Sequence, residues 1–209
     1  MAEIKLFSGM DFSGKSTIVS YLDKTFPRMF QCQQKFLTSI QTLQYMIDND
    51  IWIPRNEFIP LLQNMVISDI NNYKKRGLIL QDTIWVIKFI AKLMADGKNI
   101  YAKEIEELLN LVKCYPEMDS FYITATMEER NKRYEIRKSR GERISKSDKL
   151  LFSSNMFVEV ERYYRDIIFT FFPNTRIIDT TYQFPEEIVK HLKNDRIFMS
   201  DLEEEYHGT

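Results

Sequence analysis

Gly9-Met10-Asp11-Phe12-Ser13-Gly14-Lys15-Ser16 has the spacing G-x-x-x-x-G-K-[ST], and each fixed position has a physical task. Gly9 and Gly14 let the backbone curl until successive N–H groups converge on phosphate oxygens. A helix opening at Lys15 adds the positive end of its dipole. The Lys15 ammonium can reach the β- and γ-phosphates of a nucleoside triphosphate, and the Ser16 hydroxyl is a hard oxygen ligand suited to Mg²⁺. A chance match in an ordinary turn is the competing reading. The flanks argue against it, because Ile4 to Ser8 reads as a short buried strand and Lys15 to Lys24 as a helix, the context this loop requires. The expected triphosphate-binding set is Gly9, Met10, Asp11, Phe12, Ser13, Gly14, Lys15 and Ser16, with Thr17 beside them.

Outward from the loop, strands and helices alternate. Met29 to Gln33 is a weak second strand, and residues 38 to 60 are short helical pieces punctuated by Pro54 and Pro60. Leu61 to Lys75 has helical periodicity, with Leu62, Met65, Val66 and Ile70 on one side, and Gly77 stops it. Leu78-Ile79-Leu80 runs into Gln81-Asp82 like a parallel strand buried on both faces. Ile84 to Met94 and Ala102 to Val112 read as helices, Phe121 to Ala125 as a strand, and Met127 to Lys138 as a charged helix. A basic loop covers Ser139 to Asp148, a long helix with an aromatic stripe covers Leu150 to Phe171, and Arg176 to Asp179 and Pro185 to Lys193 close the alternation. This order predicts an α/β fold with a parallel sheet of about five strands and helices on both faces.

The whole chain, 209 residues with 44% hydrophobic and 28% charged residues, fits one domain with a real core. A formal net charge of -1 predicts no general attraction to DNA, RNA or an anionic membrane. Cys32 and Cys114 make neither a disulfide framework nor a zinc motif, and each is expected as a buried thiol. No signal-peptide pattern opens the chain and no apolar stretch is long enough for a transmembrane helix, so a cytoplasmic protein is expected. The acidic end, Asp201 to Glu205 within a tail of about 198 to 209, reads as solvated.

A triphosphate site needs an acidic group to hold hydrated Mg²⁺ with Ser16. Parallel sheets put their sites at the carboxyl ends of strands. Asp82 ends the Leu78 strand and faces the metal position if that strand neighbours the first; alternatively it caps the helix that follows, and both can hold. Asp179 reads as a turn or cap residue near the base. A carboxylate at Asp11 would repel triphosphate, so its side chain should turn toward a second substrate, unless the position is merely tolerant.

Arg130, Arg133, Arg137, Arg140 and Arg143 crowd one stretch, with Arg133 and Arg137 a helical turn apart. Phosphoryl transfer asks the protein for positioning and charge neutralisation, which a closing arginine loop would provide. A solvated helix whose arginines pair with Glu128, Glu129, Glu135 and Glu142 is the alternative. The expected lid spans about 137 to 148, with Lys15, Arg137, Arg140 and Arg143 as catalytic candidates.

The segments Phe7 to Thr17, Gly77 to Asp82, Tyr115 to Thr126, the Arg133 and Arg137 helix with its loop, and Ile177-Ile178-Asp179 together resemble the thymidylate kinase-like branch of the P-loop nucleoside and nucleotide kinases. The resemblance implies a P-loop NTPase three-layer sandwich, ATP as phosphoryl donor with Mg²⁺, Arg133 at the ATP site, a deoxynucleoside monophosphate acceptor and a homodimer. Two departures stand out. The family's Asp-Arg pair is Asp82-Thr83 here, and the Arg-Glu-Pro motif after the second strand is absent, replaced by a stretch carrying Gln31, Gln33, Gln34, Gln41, Gln44, Tyr45 and Trp52. Gln63 stands where thymidylate kinases usually place an arginine, and in deoxynucleoside kinases a glutamine on that helix reads the base, so Asp11 and Gln63 are the acceptor-binding candidates, a partly exposed glutamine with no role being the alternative for Gln63. Nucleoside kinases also need a carboxylate base, for which Glu57 is a weak candidate; a monophosphate acceptor is already an anion and needs none. The leading expectation is an ATP-dependent deoxynucleoside monophosphate kinase. The alternatives are a deoxynucleoside or other small-molecule kinase, and a nucleotide-binding regulator without transfer activity.

Overall fold

The computed structural model describes residues 3–25, 30–33, 41, 45, 46, 49, 55–74, 77–97, 102–142, 144, 148, 149, 152 and 156–194. In chain order the elements are β1 (Glu3–Ser8), α1 (Lys15–Thr25), β2 (Phe30–Gln33), α2 (Arg55–Asn72), β3 (Leu78–Asp82), α3 (Trp85–Ala95), α4 (Ala102–Val112), β4 (Asp119–Thr124), α5 (Met127–Ser139), α6 (Met156–Phe171), β5 (Arg176–Asp179) and α7 (Pro185–Asn194). The five strands form one sheet in the order β2-β3-β1-β4-β5, with every neighbouring pair parallel. The strand that feeds the glycine loop is thus the central one.

Side chains alternate across a strand, so a strand buried on both faces feeds two cores. Ile4 and Leu6 of β1, Ile79 of β3 and Tyr122 of β4 join one core with α2, α3, α4 and α6. Phe7, Leu78, Leu80, Phe121 and Ile123 point the other way and pack with Ile18, Val19 and Leu22 of α1 and Ile188, Val189 and Leu192 of α7. Phe7 and Phe121 stack across the strand pair, ring centroids 5.0 Å apart. Three layers follow directly from these two apolar faces. No helix among the described residues is long and apolar enough to cross a membrane.

Two expectations need correction. The helix expected from Leu61 begins at Arg55 and runs through Pro60. Proline there removes only the bond to the carbonyl of residue 56, and burial of Leu62, Met65 and Val66 outweighs that loss. Cys114 is an exposed thiol, not a buried one, because it falls in the turn after α4. The long aromatic helix is described from Met156, and its expected start at Leu150 lies outside the described residues. Also outside them are Arg143, the tail from 198 to 209, and the side chains of Cys32, Gln31, Gln33, Gln34, Gln44 and Trp52.

Candidate active site

The glycine loop turns out of β1 against the neighbouring strand. Gly9 has φ +146°, and a Cβ there would lie 2.3 Å from the carbonyl oxygen of Ile123, so only glycine fits. Gly14 has φ +90°, with a guanidinium nitrogen of Arg133 3.1 Å from where its Cβ would be. The N–H groups of Thr17 and Ile18 both donate to the Gly14 carbonyl at 3.1 Å and start α1. Met10 drives its side chain into the core, while the hydroxyl-bearing Ser16 and Thr17 are exposed. Phe12 takes φ +63°, an unfavourable region for an aromatic residue. Its ring is held edge-on by Tyr134 at 5.5 Å and Phe152 at 5.0 Å.

β1 and β3 are adjacent and in register, with Phe7 opposite Asp82. That pairing brings the end of β3 alongside the loop. Lys15 Nζ lies 3.4 Å from Asp82 Oδ1 and donates to the Thr83 hydroxyl, which in turn donates to Asp82 Oδ1 at 3.1 Å. Burial lowers the pKa of Lys15; Asp82 opposes this and Lys88 adds to it. Thr83 is a β-branched residue at φ +66°, a conformation that needs external support. The support is visible: its N–H donates to the Phe7 carbonyl at 3.0 Å, and its carbonyl accepts from Gln81 Nε2 at 3.0 Å. Gln81 is itself fixed, donating to Asp69 at 3.2 Å and accepting from Tyr73 at 2.8 Å, while Tyr115 donates to the same Asp69 oxygen at 2.7 Å. The capping alternative for Asp82 fails, since the N-cap of α3 is Ile84 with no side-chain cap.

Asp11 turns its carboxylate to α3, where Lys88 Nζ sits 2.7 Å from Oδ1. Burial pushes the Asp11 carboxyl up, but Lys88, with Lys15 and Lys92 behind it, more than offsets this and holds it down at about 2. Lys88 was not legible as a site residue. Its signal was a single charge inside the apolar run Trp85-Val86-Ile87-Lys88-Phe89-Ile90-Ala91. Gln63 is exposed on α2, as is Glu57.

The arginine cluster divides. Arg130, 1% exposed, forks onto Glu161 of α6 at 2.7 and 3.0 Å and also bonds Thr124, so it ties helix to helix and strand. Arg133 donates to the Phe12 carbonyl at 3.1 Å and to the Thr180 hydroxyl and carbonyl at 3.0 and 2.8 Å. Arg137 lies over the Phe12 ring, 4.8 Å from its centroid. Two successive turns of α5 therefore clasp loop residue 12 from its backbone and its ring. Arg140, 70% exposed, is 3.9 Å from Glu142 and contributes nothing to the loop in this conformation.

Beside the loop a cavity of about 450 Å³ opens between Gly14, Thr17, Arg133, Thr180, Tyr182, Phe184 and Pro185. Tyr182 and Phe184 are 92% and 70% exposed, two apolar rings left uncovered at its rim. Asp179 makes a turn, accepting from the Thr181 N–H at 2.8 Å and its hydroxyl at 2.6 Å, which lowers its pKa. No periodicity in the sequence marks Tyr182 and Phe184 as a rim.

No protein-family model matches the chain, and a search of the curated proteins finds no match. Solved structures do match. Thymidylate kinase from Candida albicans is 17% identical with a TM-score of 0.62, over 92% of this chain and 90% of that one. Thymidylate kinase from Ehrlichia chaffeensis is also 17% identical, with a TM-score of 0.55 over 92% and 98%. Deoxyadenosine kinase from M. mycoides with bound dATP is 13% identical with a TM-score of 0.62, over 92% of this chain and 100% of that one. At these identities the likeness is one of fold, and the chain has the three-layer α/β architecture of these kinases over nearly its whole length.

Proposed function

We propose that the protein is an ATP-dependent kinase that phosphorylates a nucleoside monophosphate, deoxynucleotides first. The observation that carries this is the meeting of Lys15, Asp82 and Thr83 at the mouth of the glycine loop, with Arg133 and Arg137 bound over that loop. The triphosphate lies in the Gly9 to Thr17 loop. The base enters the cavity beneath Tyr182 and Phe184, which offer faces for stacking. Ser16 in the first turn of α1 and Asp82 at the end of β3 offer hard oxygens of the kind that suits Mg²⁺, which would supply charge neutralisation on the phosphates. Lys15 leaves its protein partners for the β- and γ-phosphate oxygens. An acceptor oxygen attacks the γ-phosphorus in line, the bond to the bridging oxygen breaks, and ADP leaves. Arg137 and, on closure, Arg140 and Arg143 neutralise the charge spread over the transferring group. Arg130 takes no part. Asp11 and Gln63 face the acceptor. The protein acts in the cytoplasm, and as a homodimer if it follows the family it resembles.

The test is an acceptor panel with Mg-ATP, each of the four deoxynucleosides against its 5′-monophosphate, with ADP release followed. Turnover of a monophosphate is the expected result. Turnover of deoxynucleosides alone would favour the second reading, to which the equal TM-score of the deoxyadenosine kinase lends support. Tight ATP binding with no product from any acceptor would favour a nucleotide-binding regulator.

A further inference from the structure

We propose that Asp69 and Gln81 are positioning residues for phosphoryl transfer, fixing the Lys15 ammonium by way of Thr83. This rests on the kinase reading above. Asp69 lies on α2 and Gln81 on β3, and both are buried, 1% and 0% exposed. Gln81 uses its whole amide. Its nitrogen donates to Asp69 Oδ2 at 3.2 Å and to the Thr83 carbonyl at 3.0 Å, and its oxygen accepts from Tyr73 at 2.8 Å. Tyr115 donates to that same Asp69 oxygen at 2.7 Å, so the carboxylate that aims the amide is itself held by a second donor.

Thr83 is gripped at both ends of its backbone, its carbonyl by Gln81 and its N–H by the Phe7 carbonyl at 3.0 Å, and it stays at φ +66° between them. In that conformation its hydroxyl accepts from Lys15 Nζ and donates to Asp82 Oδ1 at 3.1 Å. Burying a carboxylate and an amide costs stability that packed apolar side chains would not, and what this arrangement yields is geometric. A threonine relaxed to negative φ would carry its hydroxyl off the Lys15 and Asp82 pair. The lysine would still find phosphate oxygens on its flexible stem, but without a fixed approach. Misplacement by about 1 Å is enough to slow a chemical step about a hundredfold. Asp69 and Gln81 thus act on the reaction without touching a substrate.

Steady-state kinetics with Mg-ATP and whichever acceptor of the panel turns over best, run beside urea melts, test this in Gln81→Met, Asp69→Leu, Asp69→Asn and Thr83→Val. Gln81→Met and Asp69→Leu should each lower kcat about 10- to 100-fold, with KM for ATP within about threefold. Asp69→Asn should stay within about threefold of the wild-type kcat, because one amide oxygen can accept from both Tyr115 and Gln81. Thr83→Val should lower kcat by a similar factor to Gln81→Met, and combining the two should cost no more than about threefold further, since both act through one hydroxyl. An Asp69→Leu, Gln81→Met double variant buries neither group without the other; it replaces Gln81→Met if that protein does not fold, and should show the same loss. A folded Gln81→Met or double variant with wild-type kcat overturns the inference and leaves the kinase reading intact. So do losses that multiply when Gln81→Met and Thr83→Val are combined. A wild type that transfers phosphate to no acceptor overturns both.

Discussion

The Lys15 ammonium lies 3.4 Å from Asp82 Oδ1, so the loop lysine already has a carboxylate partner before a nucleotide arrives. If the proposed function holds, Asp82 releases Lys15 to the phosphates and takes the metal. Asp82→Asn should lower kcat/KM by about a hundredfold, in the range seen for lost electrostatic stabilisers, and raise the Mg²⁺ concentration needed for half-maximal rate. A Mg²⁺ titration of the steady-state rate checks this, and an unchanged Mg²⁺ midpoint speaks against the assignment.

Thr83 holds both members of that pair through one hydroxyl. Thr83→Val keeps the shape and removes the oxygen, leaving two buried charged groups short of a partner. The expected loss is about 1–2 kcal/mol in urea unfolding, the usual penalty for an unmet buried polar contact. A variant as stable as the wild type would show that the hydroxyl does not position the lysine.

Arg137 touches the loop through the Phe12 ring, an interaction that requires its planar guanidinium. Arg137→Leu should reduce kcat by about 10- to 1000-fold with ATP affinity nearly unchanged, the pattern of a group that acts in the transition state. Arg137→Lys should recover little. A rise in KM for ATP at constant kcat would instead make Arg137 a simple binding residue.

Arg130 gives the opposite expectation. It is buried against Glu161, so Arg130→Met should cost about 3 kcal/mol of stability by leaving that carboxylate unpaired. The folded variant should keep kcat and both KM values within about twofold, since the residue lies outside the proposed chemistry.

Asp11 carries a pH signature. Its folded pKa of about 2 lies below the ordinary 3.8, so its ionised form stabilises the fold above about pH 4, and that contribution disappears as pH falls toward 2. The size is at most about 2 kcal/mol, reduced by solvent screening because the side chain is 31% exposed. Urea melts of wild type and Asp11→Asn should differ by up to this amount at pH 6 and converge as the pH approaches 2. A gap that is constant over the range contradicts the Lys88 pairing.

The glycine loop and the strand beside it were legible because their requirements are local. Gly9 to Ser16 declares itself by spacing, and the doubly buried run Leu78 to Leu80 declares a central parallel strand that delivers Asp82. The missing parts depend on what sequence periodicity cannot see. Thr83 matters through a left-handed backbone angle enforced by Gln81 and Phe7, and no propensity predicts a β-branched residue there. Lys88 matters because the fold sets it against Asp11, 77 positions away in the chain. Arg130 stands in the same sequence cluster as Arg133 and Arg137, and packing shows it locked to Glu161 while those two reach the loop. Pro60 read as a helix breaker because its local loss is plain, whereas the core burial that outweighs it is tertiary.

Phosphoryl transfer from ATP at the glycine loop is tested most directly by single-turnover transfer from γ-labelled ATP to the deoxynucleoside monophosphates, comparing wild type with Lys15→Met. The expected result is labelled nucleoside diphosphate from the wild type and at least about a thousandfold slower transfer from a variant that still melts cooperatively. Labelled product formed at the wild-type rate by the folded Lys15→Met protein would contradict it.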